Sequence, residues 1–283
     1  MNELLYQVNT GVIAALLLLT MAAAIEGGYR YGRRKHGLVL EVQRDHVNGV
    51  QASVLGILAL VLGFTFSLAL QRFDSRSDAV VDEANAIGTV YLRIQLLPAS
   101  LQAGARDAVR DYTDLRVRSS ALVAVDSAGR RDQLALEQKT QDRLWEYARK
   151  GMDFDPQIYA PALFVEAVNE LLNSYGTREA ALKRHVPELV LFLLYATLLI
   201  TSAIVGYSCG IANHRPSFTS HLMVLLVVVL VFIILDLDRP RRGFIQVSQQ
   251  SLLDLQASMR AASAATTQPA AQTPAAPASA VSR

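Results

Sequence analysis

The chain has 283 residues, 52% of them hydrophobic and only 18% charged, and its 27 basic and 25 acidic side chains leave a net charge of +2. With a mean hydropathy of +0.26, that balance suits long apolar segments better than one soluble core, and a near-neutral chain with no large basic face excludes phosphate-driven binding of nucleic acid. The single cysteine, Cys209, excludes a disulfide framework and a thiolate metal site, and no metal or cofactor is expected.

Four segments reach bilayer length, which is about 20 residues at 1.5 Å each: Leu4 to Ile25, Val50 to Leu70, Pro187 to Ile211 and Thr219 to Leu237. The expected fold is an all-α membrane protein with a helical extramembrane domain, 71–186, between the second and third spans. No lysine or arginine precedes the first segment, and it is too long for a signal h-region, so it is expected to stay as a helix. Arg30, Arg33, Arg34, Lys35 and Arg44 load the connection that follows.

The second span is the most informative. Ala52, Ser53, Gly56, Ala59, Gly63 and Ser67 recur at steps of three and four. Small residues on one side of a membrane helix allow a neighbouring backbone to approach closely. Alternatively the helix lines a pore in an oligomer, with Leu60, Phe64 and Leu68 as an apolar constriction and Ser67 or Thr65 offering hydroxyls. No ionisable residue lies mid-membrane in any span, which weighs against a proton-coupled carrier.

Beyond that span Phe73, Val80, Ala84, Ile87 and Tyr91 keep helical spacing, so the helix is predicted to run on to about Leu97, where Pro98 stops it. Its polar side carries Asp74, Asp78 and Asp82, and like charges at i, i+4 repel unless partners come from elsewhere. Candidate partners are Arg239, Arg241 and Arg242, which follow the fourth span in Asp236-Leu237-Asp238-Arg239-Pro240-Arg241-Arg242. A solvated stripe, with the arginines at lipid headgroups, is the competing reading. Further helices are predicted from Leu101 to Leu122, Arg130 to Lys150 and Pro161 to His185, the last two separated by the Gly151 to Pro156 loop. A juxtamembrane segment, 238–260, leads to an Ala, Pro, Thr and Ser tail, 261–283, expected to be disordered.

Four spans put both termini and the domain on one side, and basic residues at the membrane ends are nearly balanced; the cytoplasm is the expected side. The five histidines are scattered, His214 and His221 match no zinc spacing, and no nucleophile, phosphate-loop or dinucleotide motif occurs. The chain is expected not to be an enzyme; Asp236, Asp238 and the arginines holding a phosphorylated lipid group is the remaining enzymatic possibility.

Three stretches together resemble a family of bacterial membrane proteins described as bestrophin-like. They are Ala52-Ser53-Val54-Leu55-Gly56 through Gly63-Phe64-Thr65-Phe66-Ser67, Val81-Asp82-Glu83-Ala84-Asn85-Ala86-Ile87-Gly88-Thr89, and Asp236 to Gly243 leading to Val247-Ser248-Gln249-Gln250. The resemblance implies the fold of bestrophins, pentameric anion channels with four spans and a cytosolic helical domain, whose second span lines the pore with an apolar neck. Phe64 could fill that role. The acidic calcium clasp has no counterpart, so calcium gating is not implied. The expected function is a homo-oligomeric, anion-selective channel of the bacterial inner membrane, with lipid and further copies of the chain as partners. A membrane-anchored sensor or scaffold module is the alternative.

Overall fold

The computed structural model describes residues 9–37, 41–121, 127–154, 159–239 and 243–267. Among them there is no strand. The helices are α1 (Thr10–Lys35), α2 (Glu41–Arg93), α3 (Ala99–Ala121), α4 (Ser127–Phe154), α5 (Tyr159–Lys183), α6 (Glu188–Ile211), α7 (Phe218–Leu237) and α8 (Gln250–Thr267). Stretches in α1, α2, α6 and α7 are long and apolar enough to cross a membrane, which makes this the four-span, all-α membrane protein that the hydropathy pattern describes.

Helix α2 continues unbroken out of its apolar stretch, as the spacing of Phe73, Val80, Ala84, Ile87 and Tyr91 predicts. It closes through a 3-10 turn, Ile94–Leu96, immediately before Pro98. Helix α8 differs from expectation, because it continues past Ala261 to Thr267. That stretch is polar enough to look disordered, but alanine is the best helix former, and a helix already started extends into it at little cost. Residues 268–283 of the tail lie outside the described residues.

The chain divides into two compact units, Met1–Ala79 with Tyr175–Ser248, and Val80–Ser174 with Gln249–Arg283. In the first unit one face of each spanning helix meets the others. Leu17, Met21 and Ile25 of α1, Leu58, Leu62 and Ala69 of α2, Leu191, Leu194 and Leu198 of α6, and Val224, Val228 and Val231 of α7 share one core. The closest approach is between α1 and α6. A Cβ added at Gly28 would lie 2.1 Å from the Ala203 carbonyl oxygen, and one at Gly206 would lie 2.0 Å from that of Ile25. Gly32 and Gly210 meet one turn further on, with Gly210 2.4 Å from the Tyr29 oxygen on the same measure. Two small-xxx-small pairs, one on each helix, bring the backbones together, and dispersion between close backbones is what holds helices in lipid, where the hydrophobic effect is lost.

The second unit packs on Ile87, Val90, Ile94, Val109, Tyr112, Leu144, Phe164 and Leu171, all buried. Inside it Arg116 sits between two carboxylates. Its Nε and Nη2 donate to the two oxygens of Glu83 at 2.6 and 3.2 Å, and its Nη1 donates to Glu137 at 3.2 Å. The Tyr112 hydroxyl donates to Glu83 at 2.9 Å. Burial alone would lower the pKa of the Arg116 guanidinium, but the Glu83 carboxylate beside it, with help from Tyr112 and Glu137, holds it above the ordinary arginine range. Arg116 therefore stays charged through the neutral and alkaline range.

Candidate functional site: the open face of α2 and its ionic anchor

Within the apolar stretch of α2, Leu58, Leu62, Thr65 and Ala69 recur at steps of four and three and are buried. The Thr65 hydroxyl donates to the Val61 carbonyl at 2.7 Å and points into the unit. Thr65 therefore leaves the set of hydroxyls that sequence spacing allowed on a pore wall. Opposite this buried side lies a face that none of the described residues covers. Leu60 is 59% exposed, Phe64 64% and Leu68 37%, and Ser67 is exposed too. A Cβ added at Gly56 or Gly63 would meet no atom within 4 Å. Among the described residues, the small residues that spacing picked out as a packing surface meet no neighbouring helix; Gly28, Gly32, Gly206 and Gly210 do that work on other helices.

The open face continues past the apolar stretch. From Ser67, steps of four, three and four lead to Gln71, Asp74 and Asp78, all exposed, with Asp82 exposed a turn later. The cations of this stretch lie towards the other side: Arg72 is half-buried and Arg76 buried.

Arg76 anchors that side. Its guanidinium donates to the carbonyl oxygens of Ala181 (3.3 Å), Arg184 (2.7 Å), Leu237 (3.0 Å) and Asp238 (3.1 Å). It also lies 3.6 Å from the Asp238 carboxylate, both side chains being 1% exposed. Ala181 and Leu237 stand in the last turns of α5 and α7, where carbonyls have no partner within the helix and the helix dipole is negative, so one cation satisfies two helix ends. The Asp238 carboxylate in turn accepts the Val186 backbone N–H at 2.9 Å, just before α6. Asp236 accepts the N–H groups of Phe244 and Ile245 at 3.0 and 2.8 Å. A side chain at Gly243 would strike the Asp236 carbonyl oxygen at 2.8 Å, which accounts for glycine in the motif.

The sequence paired α2 with the segment after α7 through Asp74, Asp78 and Asp82 with Arg239, Arg241 and Arg242. The structure joins them through Arg76 and Asp238. Asp74, Asp78 and Asp82 remain exposed while Arg239 is buried, and Arg241 and Arg242 lie outside the described residues. Arg76 was missed because an isolated arginine near a membrane end reads as a headgroup anchor; its position in step with the buried side of α2 was the available signal. Among the described residues no group of His, Cys, Asp and Glu could hold a metal ion.

A four-span helical protein with an open, small-residue face on its second span is the class that this geometry defines. The family model of the Bestrophin-like domain matches residues 17–252, and the chain belongs to that family. Among solved structures it is similar to a bacterial bestrophin homologue from Klebsiella pneumoniae carrying a point mutation, with a TM-score of 0.65, 14% identity, and 89% of this chain and 97% of that one covered. It is also similar to a structure described as a membrane protein with a point mutation, at a TM-score of 0.57 and 15% identity, covering 87% of this chain and 98% of the other. No curated protein matches the chain.

Proposed function

We propose that this protein is a homo-oligomeric ion channel of the bacterial inner membrane in which the open face of α2 lines the pore, with the termini and the extramembrane helices on the cytoplasmic side. The carrying observation is that face itself. Gly56 and Gly63 look into open space while Phe64 stands 64% exposed between Leu60 and Leu68. A lipid-facing surface has no use for a row of Gly, Ala and Ser, whereas a wall around a water path needs small residues for width and one bulky apolar ring for a gate that closes by dewetting. Membership of the bestrophin-like family supports the same reading. No catalytic role is assigned to any residue.

The bestrophin resemblance points to anions. One observation favours a second reading, cation conduction: Asp74 and Asp78 stand exposed on the pore face, and repeated in each subunit they would form carboxylate rings, which attract cations. Purified protein in vesicles tests both. Phe64→Ala should raise ion flux without changing the mass of the oligomer, while Phe66→Ala, whose ring packs against the core, should alter stability only. The sign of the reversal potential in a salt gradient gives the ion's charge, and Asp74→Asn with Asp78→Asn should move it towards anions. Equal flux from wild type, Phe64→Ala and empty vesicles would refute the channel and leave the sensor or scaffold module.

A further inference from the structure

In the first unit a cavity of 280 Å³ is lined by Gln71, Arg72 and Ser75 of α2, Ala181 of α5, and Arg184. Arg72 stands two residues beyond Leu70, the end of the apolar stretch of α2, and Arg184 stands four before Glu188, the first residue of α6. At 1.5 Å per residue along α2, the lining residues Gln71, Arg72 and Ser75 stand within about 8 Å of the end of that apolar stretch, at the depth of the headgroup layer.

Its chemistry is that of an anion site. Two of its lining residues are arginines, Arg72 and Arg184, and none carries a carboxylate. Arg72 Nε is buried and makes no hydrogen bond among the described residues, so this guanidinium is not committed to holding the fold. The Arg184 side chain is exposed, but its backbone is held, because Arg76 donates to the Arg184 carbonyl at 2.7 Å. Arg76 itself is occupied by four carbonyls and Asp238, so it serves as a positioning residue behind the cavity and offers the ligand no free donor. The Gln71 amide and Ser75 hydroxyl add neutral donors at the rim. Two arginines lining one space, each with a planar fork of donors, match the several oxygens of a phosphate better than a single small halide.

We propose that this cavity binds a phosphate group. The group can belong to an anionic phospholipid headgroup at the membrane surface or to a free phosphate, and the chemistry is the same for both. The site does not depend on α2 lining a pore, and it would stand if the channel reading failed.

The test uses delipidated full-length protein in detergent at constant ionic strength, with melting temperature as the readout. The probes are inorganic phosphate, a short-chain phosphatidylglycerol, and the matching phosphatidylcholine as the zwitterionic comparison. Wild type should be stabilised by phosphatidylglycerol, by inorganic phosphate, or by both. Arg184→Gln should raise the half-saturating concentration about tenfold, the effect expected for one lost charge-assisted hydrogen bond, and Arg72→Gln should do the same. Arg33→Gln, an exposed basic residue at the end of α1 and outside the cavity, should change nothing. A response to phosphatidylglycerol with none to inorganic phosphate identifies a lipid headgroup, and an equal response identifies free phosphate; both support the site. No response to either, or a response that Arg184→Gln leaves intact, overturns it. Because Arg184 is exposed, that variant remains decisive if Arg72→Gln fails to fold.

Discussion

Gly206 and Gly63 differ only in what a methyl group would meet. A Cβ at Gly206 would lie 2.0 Å from the Ile25 carbonyl oxygen and 2.8 Å from its carbon, where ordinary contact begins at 3.4 Å, so α1 and α6 must part by more than 1 Å. Both contacts are with backbone, which cannot rotate away as a side chain could. Overpacking of this kind costs about 2 kcal/mol, and at about 2–4 °C per kcal/mol for a chain this size the melting temperature of Gly206→Ala should fall by about 4–8 °C. Gly63→Ala meets nothing within 4 Å and should melt at or above wild type, since alanine favours the helix. The only cysteine, Cys209, lies on α6 between Gly206 and Gly210 and is partly buried, so the rise in labelling by a thiol-reactive fluorogenic dye in a thermal ramp gives the unfolding transition. In vesicles the order reverses, because Gly63→Ala should lower ion flux by narrowing the open face of α2. A Gly206→Ala protein as stable as wild type, beside a destabilised Gly63→Ala, would refute the assignment of which glycines pack and which stay open.

Removing the guanidinium that links Glu83 and Glu137 leaves two buried carboxylates without their cation. Arg116→Met should therefore cost about 3–5 kcal/mol, read as an earlier unfolding transition in the fluorescence of Trp145 on α4; an unchanged transition would refute the ionic core of the second unit. At the membrane end, Arg76→Met should destabilise by several kcal/mol on the order of other broken buried pairs, whereas Asp78→Asn should leave the melting temperature where it was. The reverse ranking, measured by thermal melting in detergent, would return the stabilising role to the acidic stripe.

The four spans and the unbroken run of α2 were legible because each depends on local pattern alone: apolar length for a bilayer, and steps of three and four for a helix face. Partner choice was not legible by the same means. Gly28 and Gly32 stand four residues apart and Gly56 and Gly63 seven, both spacings that keep a pair on one side of a helix, and nothing local to either pair says that the first meets Gly206 and Gly210 while the second meets none of the described residues. Asp74 and Asp78 drew attention because repelling charges need explaining, yet the phase of α2, set by Leu58, Leu62, Thr65 and Ala69, turns them outward and turns Arg76 inward. Reading the phase first and the charges second would have found the anchor. An arginine in step with a buried apolar row must have acceptors, and the helix ends nearest it, those of α5 and α7, are where unpaired carbonyls gather.

The same ordering explains what Asp236 and Asp238 do beside so many arginines in sequence. Asp238 accepts the Val186 N–H and lies against Arg76, and Asp236 accepts the N–H groups of Phe244 and Ile245. Carboxylates so engaged fix where the chain turns at the end of α7. Two surfaces of the first unit remain open to something outside the chain. One is the open side of α2 around Phe64, which is apolar and narrow. The other is the arginine cavity around Arg72, which is charged and lies at headgroup depth. Two such different surfaces on neighbouring turns of one helix suit two different ligands, an ion in transit and a phosphate at rest.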